Sequence, residues 1–381
     1  MDKTMNILQI CANYPPVQGG HGIYARNLSM KLIKYGVNTN ILTYKPKSFN
    51  ESEQNDTLNV QRIRAFNFKS IEYPIYDPTI LYYIHKIVKD NDINVINSHT
   101  RFFTSTYFAS LYRKINKNII FVHTEHGAGP LIHKNKIVSS ICNIYDSTFG
   151  KTAIKTADIP IAVGPSSKNF LRKLGCEREI EIIPNSIDCS KYEKFSKRSR
   201  NNKENQIIIT YIGRLVISKG ISDLMMVFSK IELNYNAVLW IVGTGPDERY
   251  FKLLAKKLNI DNIKFFGFRN DIGEILSATN IFVNPSFYDS VPTTLLEAGC
   301  IGTRVVSTNV GDVPFILGHD YKYIYEVNDL ELMEKHIRNI INESDFTDHH
   351  LQKRVCKYFD WGINCKKYLK LLEQKVNEKI L

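Results

Sequence analysis

Across 381 residues no apolar run reaches the ~18 that a membrane-spanning helix needs, so the chain is not expected to cross a bilayer. The opening MDKTMNILQICANYPP has one basic residue before a short apolar stretch, and reads as a first strand rather than an export signal. Cysteine is sparse: seven residues, an odd number with no C-x-x-C pair, fit a reduced cytoplasmic protein rather than a disulfide framework or a zinc site. There is no internal repeat and no low-complexity tract. No zinc finger, RNP-like strand or heptad zipper marks a nucleic-acid partner. A full G-x-G-x-x-G is missing both after the first strand and in WIVGTGPDERY, which excludes a dinucleotide-dependent oxidoreductase.

What is present suits a globular protein of two domains, with 43% hydrophobic and 23% charged residues. The net charge of +12 is one-sided, since Met1–Phe195 holds 25 Lys and Arg against 16 Asp and Glu, and the remainder 25 against 22. Such asymmetry suits an acidic acceptor or an anionic lipid surface, with a merely solvated face as the plain alternative. Short β-branched runs alternate with longer helical patterns, the signature of βαβ units and parallel sheets. Strands are expected at Asn6–Cys11, Asn40–Thr43, Val60–Ala65, Val95–Ser98, Ile119–His123, Ile159–Ala162 and Ile180–Ile183. After a polar, aperiodic stretch the alternation restarts at Ile207–Ile212, Ala237–Val242, Ile263–Phe265, Ile281–Val283, Arg304–Ser307 and Tyr323–Tyr325. The expected fold class is therefore α/β: a doubly wound, Rossmann-like domain over 1–186, a linker over 187–206 and a second such domain over 207–360.

The densest chemistry lies in Asn284–Ser307, NPSFYDSVPTTLLEAGCIGTRVVS. A strand runs into a loop carrying Asp289, and a helix then starts at Pro292, Thr293 and Thr294 with Glu297 expected on its first turn. A helix start exposes unpaired N–H groups and partial positive charge, which suits a phosphate. Paired acids are the usual grip on neighbouring sugar hydroxyls. Together they point to a nucleotide sugar. Read singly, Glu297 could complement the helix dipole and Asp289 cap a turn.

Asp289, seven residues, then Glu297, followed by AGCIGTRVVS, resembles the E-x7-E signature of retaining family 4 glycosyltransferases of GT-B fold. The first acid is Asp where that family usually has Glu, so its reach is shorter by one methylene. The resemblance implies two doubly wound domains facing a cleft, with a final helix over 361–381 crossing back to the first. It extends to other motifs. In NYPPVQGGHGIYARNL, Gly19 and Gly20 precede a helix expected over Ile23–Tyr35 and resemble the family's loop facing donor diphosphate and acceptor; alone they would be a tight turn. In FVHTEHGAG, His126 resembles the histidine that hydrogen-bonds the donor sugar and helps stabilise transition-state charge, whereas His123 and His99 read as structural. IIPNSID resembles the P-N-G-V-D hinge entry, with Ser186 in place of Gly.

In the second half, YIGRLVISKG puts Gly213, Arg214 and Lys219 after a strand, two cations that can neutralise a leaving diphosphate as a metal does elsewhere. Gly243 and Gly245 follow the next strand and are expected to line the nucleotide pocket, while the backbone around Phe268 and Arg269 meets the base edge beside Ile272. Asp90-Asn91-Asp92 spells D-x-D but lies between a helix and the start of a strand, the wrong end of a sheet for a ligand, and no metal is expected.

The resemblance implies transfer of a sugar, with retention, from a nucleotide diphosphate sugar, UDP-linked before GDP-linked, to a saccharide or lipid-linked acceptor in bacterial surface-polysaccharide synthesis, with no cofactor. A hydrolysing nucleotide-sugar epimerase of the same fold or a non-catalytic nucleotide-sugar-binding protein are the alternatives. One further expectation concerns location. RFFTSTYFASLYRKINK, Arg101–Lys117, reads as a helix with aromatic faces and with Arg101, Arg113, Lys114 and Lys117 at its ends, which could lie on an anionic membrane at the inner face of the cell membrane, against the alternative of a core-facing helix.

Overall fold

The computed structural model describes residues 5–17, 19–46, 52–55, 58–67, 74–130, 136–196 and 206–380. The chain divides into two compact units, one of Met1–Asn185 with Trp361–Leu381 and the other of Ser186–Asp360.

In the first unit an eight-stranded sheet runs in the order Glu181–Ile182, Ile159–Ala162, Ile120–Glu125, Val95–His99, Asn6–Ile10, Asn38–Tyr44, Leu58–Ile63, Ser52–Asn55. All neighbours are parallel except the last pair. Central strands such as IFVHTE are buried along their whole length, as expected when helices cover both faces. Leu8, Ile10, Leu42, Ile84, Ile96 and Phe121 form the main core on one side. The helix Trp361–Ile380 belongs to this unit: the Trp361 ring lies 5.1 Å from that of Tyr24, and Lys367 Nζ donates to the Ile182 carbonyl at 3.0 Å.

The second unit holds a six-stranded parallel sheet in the order Ile263–Gly267, Ala237–Val242, Ile207–Ile212, Ile281–Asn284, Arg304–Thr308, Ile324–Tyr325. Strand order reverses where Ile207–Ile212 lies beside Ile281–Asn284. Ile209, Leu239, Ile281 and Val306 meet Leu224, Phe228 and Ile337 of the covering helices, each burial contributing roughly 1.5–3 kcal/mol.

Three sequence expectations change. The stretch read as a linker contains a helix, Cys189–Ser196, because Tyr192 and Phe195 at helical spacing give it an inner face: a Cβ on Gly273 would lie 2.4 Å from the Phe195 ring. Residues 197–205 of that stretch lie outside the described residues. The strand Ser52–Asn55 was not expected, since a polar edge strand shows no apolar alternation.

The third change concerns the helix read as membrane-facing. The observed helix is Thr104–Ile115, and Arg101, just before it, is buried. Its guanidinium pairs with Glu125 at 3.1 Å and Asp146 at 2.8 Å, donates to the Gly129 carbonyl and lies over the Phe170 ring. Arg113 is held in a two-pronged pair with Asp158 at 2.8 and 3.1 Å. Two of the four cations thus serve internal carboxylates, and Phe103 and Tyr112 are buried, whereas Lys114 and Lys117 are exposed. No helix among the described residues is long and apolar enough to cross a membrane. Arg101→Ala would remove the cation shared by two buried carboxylates, leaving Glu125 with His123 and the Gly127 N–H, so chemical denaturation is expected to show a loss of about 3–5 kcal/mol. A loss under about 1 kcal/mol, the range of a surface pair, would contradict the buried network.

Candidate active site

Open α/β sheets bind ligands at the carboxyl ends of strands where the strand order reverses. In the second unit the loops leaving that point are 213–220 and 285–293, and they carry Lys219 and Asp289. Lys219 Nζ donates to Asp289 Oδ2 at 2.6 Å, with both side chains half-buried. The backbones enforce this meeting. Phe287 N–H donates to the Ser218 carbonyl at 3.0 Å, and Asp312 N–H to the Ser290 carbonyl at 2.9 Å. Gly311, at φ +53, packs so tightly on the acid-bearing loop that a Cβ would lie 2.0 Å from the Asp289 carbonyl oxygen. Underneath, Ser286 Oγ donates to Asn284 Oδ1, Asn284 Nδ2 to Ser307 Oγ and Thr308 Oγ1 to the Ser286 carbonyl.

The helix that follows is Thr293–Ile301, with buried Pro292 at its cap and no side chain capping its first N–H groups. Thr293 and Thr294 open it, and no acid lies in its first turn. Glu297 is its fifth residue, one turn further in than the sequence reading placed it. The spacing of the two acids spans a loop as well as a helix, so they take different partners. Asp289 faces Lys219, whereas Glu297 Oε1 accepts from the Tyr192 hydroxyl at 3.1 Å. Burial pushes the Glu297 carboxyl from its ordinary 4.5 up to about 7, against the opposing pull of that hydrogen bond.

The other residues singled out in this unit fall on the neighbouring loops. Arg214 is exposed, and its carbonyl accepts from the Tyr211 hydroxyl at 3.0 Å. Gly213, Gly243 and Gly245 lie where these loops press backbone on backbone: a Cβ on Gly243 would sit 1.9 Å from the Gly213 oxygen, and one on Gly245 2.2 Å from the Leu215 oxygen. Phe268 is 65% exposed, a flat apolar face open to solvent. The Arg269 guanidinium is engaged by Asp271.

The first unit gathers its own cluster. His126 Nε2 is 3.1 Å from His99 Nδ1, and His99 Nε2 is 2.9 Å from Gln9 Oε1. His21 packs its ring 6.3 Å from His126. Burial, reinforced by His21, pushes His126 down to about 3, so at neutral pH its imidazole offers hydrogen bonds and no charge. His123 bonds Ser98 and Glu125 inside the sheet. Gly19 and Gly20 sit at the start of the helix Gly20–Lys34, but neither is the glycine the packing demands. That is Gly22, whose Cβ would lie 2.1 Å from the Asn13 oxygen. Asp90 ends the helix Ile80–Asp90 and Asp92 has φ 49, a reversal before the strand Val95–His99 and away from the ligand-binding end.

Sequence reasoning missed Tyr192, which lay in a stretch set aside as linker; its helical spacing from Phe195 was the available signal. Gly311 and the Asn284, Ser286, Ser307 and Thr308 network also went unread, since hydrogen bonds between separate strand ends leave no pattern along the chain.

The sequence on both sides of this site matches known families. The profile described as Glycosyl transferases group 1 matches residues 193–357, and that described as Glycosyltransferase Family 4 matches residues 18–191. The chain belongs to these family 4, group 1 glycosyltransferases and is a glycosyltransferase of GT-B fold. It is 25% identical to N-acetyl-alpha-D-glucosaminyl L-malate synthase of Bacillus anthracis, over 83% of this chain and 82% of that protein. It is 25% identical to the phosphatidylinositol N-acetylglucosaminyltransferase GPI3 subunit of Saccharomyces cerevisiae, over 93% of this chain and 80% of that one. The crystal structure of Anabaena HepE in complex with UDP superposes with a TM-score of 0.75 at 15% identity, covering 97% of this chain and all of that one.

The raised Glu297 carboxyl has a consequence for stability. Below pH 4.5 the folded and unfolded chains both hold its proton; between 4.5 and about 7 only the folded state retains it, so rising pH costs stability across that window. Glu297→Gln is therefore expected to match the parent melting temperature near pH 4.5 and to exceed it increasingly up to pH 8. A gap independent of pH would mean that this carboxyl is not desolvated.

Proposed function

We propose that this enzyme transfers a sugar, with retention of anomeric configuration, from a nucleotide diphosphate sugar, UDP-linked in preference to GDP-linked, to a saccharide or lipid-linked acceptor in surface-polysaccharide assembly. The observation that carries this reading is the Lys219 ammonium 2.6 Å from the Asp289 carboxylate, beside a helix start without side-chain caps. A cation suits a diphosphate and an acid suits sugar hydroxyls, and both stand at one end of one sheet.

In this reading Lys219 exchanges Asp289 for the diphosphate, which frees Asp289 to accept from hydroxyls of the donor sugar. Arg214 joins Lys219 in neutralising charge as the bond from the anomeric carbon to the phosphate oxygen breaks. The acceptor hydroxyl attacks from the same face, and the departing phosphate oxygen takes its proton. Glu297 grips the ribose, and uncapped amides at Thr293 and Thr294 meet phosphate oxygens. Gly213, Gly243 and Gly245 shape the nucleotide pocket and Phe268 offers its face to the base. Within the first unit, neutral His126 is suited to hydrogen-bonding a hydroxyl group. Because two cations take the neutralising role, the reaction needs no metal.

UDP preference is supported by the UDP bound to HepE, and a lipid-linked acceptor by the name of the yeast relative. The lipid-linked reading does not rest on the Thr104–Ile115 helix. A cytoplasmic location suits the free cysteines.

With UDP-N-acetylglucosamine as the first donor of a panel, Lys219→Ala and Arg214→Ala are each expected to cut kcat/KM by about 1.5–3 kcal/mol, roughly ten- to a hundred-fold. NMR of the product is expected to report the donor's own anomeric configuration. Inverted product, or two variants with parental turnover, would overturn the assignment. Release of free nucleotide without any acceptor would favour the epimerase chemistry instead.

A further inference from the structure

Although the sequence contains no C-x-x-C pair, the second unit gathers three cysteines from distant parts of the chain. Cys189 opens the helix Cys189–Ser196, Cys300 lies in Thr293–Ile301 and Cys356 in His349–Tyr358. Their sulfurs all lie within 4.8 Å of one another, and Cys300 and Cys356 Sγ are 3.8 Å apart. Among the described residues this is the one group of three or more Cys, His, Asp or Glu side chains spaced to hold a metal ion. Cys189 and Cys300 are buried and Cys356 half-buried, and all are free thiols. The close approach is built into the packing. A Cβ on Gly299, next to Cys300, would lie 2.7 Å from Val355 Cγ2, next to Cys356, so only a glycine lets these two helices come this near.

A zinc–thiolate bond is about 2.3 Å, which places sulfurs around one tetrahedral ion on the order of 3.8 Å apart. One edge of the triangle already has that length and the others need close by at most about 1 Å. A disulfide, by contrast, needs sulfurs about 2.05 Å apart.

We propose that Cys189, Cys300 and Cys356 form a three-thiolate site for a soft, thiophilic d10 cation, represented by Zn2+. Binding replaces each S–H proton by a metal–sulfur bond, releases those protons to solvent and leaves the fourth position to water. The site is separate from the loops of Lys219 and Asp289. Cys189 lies three residues before Tyr192, and Cys300 three residues after Glu297, so the ion would clamp together the helices that carry the Tyr192–Glu297 hydrogen bond. It is a structural site rather than a reacting one.

The test uses the full chain, reduced, stripped with chelator and kept anaerobic. Titration with Co2+ is expected to develop a thiolate-to-cobalt charge-transfer band that saturates at one equivalent and is displaced by Zn2+, and Zn2+ is expected to raise the melting temperature. Cys356→Ser, at the most accessible of the three positions, is expected to lose the band, whereas Cys176→Ser, outside the cluster, keeps it. No band in the parent protein at stoichiometric cobalt, or an undiminished band in Cys356→Ser, would overturn the proposal. A second measurement needs no variant: one equivalent of Zn2+ is expected to protect Cys356 from alkylation in the folded parent protein, and labelling unchanged by zinc would equally overturn it.

Discussion

The pairing of Ile209 and Thr210 with Ile281 and Phe282 is the constraint on which the second unit's chemistry depends. It joins two strands whose onward connections depart to opposite sides of the sheet, so the loops that leave them diverge and open a space at their carboxyl ends. Lys219 and Asp289, seventy positions apart in sequence, meet at 2.6 Å because these loops are pinned to that pair of strands and to each other. The hydrogen bond from Phe287 N–H to the Ser218 carbonyl and the tight seat of Gly311 under Asp289 fix the geometry from the backbone, before any side chain is considered.

Given that frame, surroundings set what each carboxyl does. Asp289 has an ammonium beside it, whereas Glu297 has only a tyrosine hydroxyl and is pushed up to about 7 by burial. Glu125 in the first unit is also buried, but Arg101, His123 and the Gly127 N–H outweigh that burial and hold it well below the usual carboxylate range. A structural acid is thus saturated with partners. Glu297, whose donor among the described residues is the Tyr192 hydroxyl, is not. The same contrast separates cations: Arg101 and Arg113 are consumed by carboxylates in their own unit, while Arg214 stands exposed at the strand ends.

Much of the fold was legible in the sequence because it is written as local periodicity. IIITYI, AVLWIV and IFVN are short β-branched runs between helical patterns, and each became a strand of the second sheet. The acids, the cations and the glycines of the strand–helix loops could be picked out as motifs because spacing across one loop is also local. What escaped is what tertiary packing decides. Tyr192 gained its partner only when the Cys189–Ser196 helix packed beside Thr293–Ile301, and nothing near Cys189 in sequence announces Cys300 or Cys356. The surroundings of Arg101 and Arg113 escaped for the same reason: a cation's exposure depends on whether carboxylates such as Asp146 and Asp158 reach it from elsewhere.

A second unit that binds a nucleoside diphosphate through both its phosphates and its ribose should lose affinity when either is removed. Thermal unfolding in the presence of UDP, uridine and 2′,3′-dideoxy-UDP tests it most directly. UDP at a hundred times its dissociation constant is expected to add about 2.7 kcal/mol, with uridine and the dideoxy analogue far weaker at the same concentration. Stabilisation by the dideoxy analogue equal to that by UDP, or no response to UDP at all, would rule out this mode of binding.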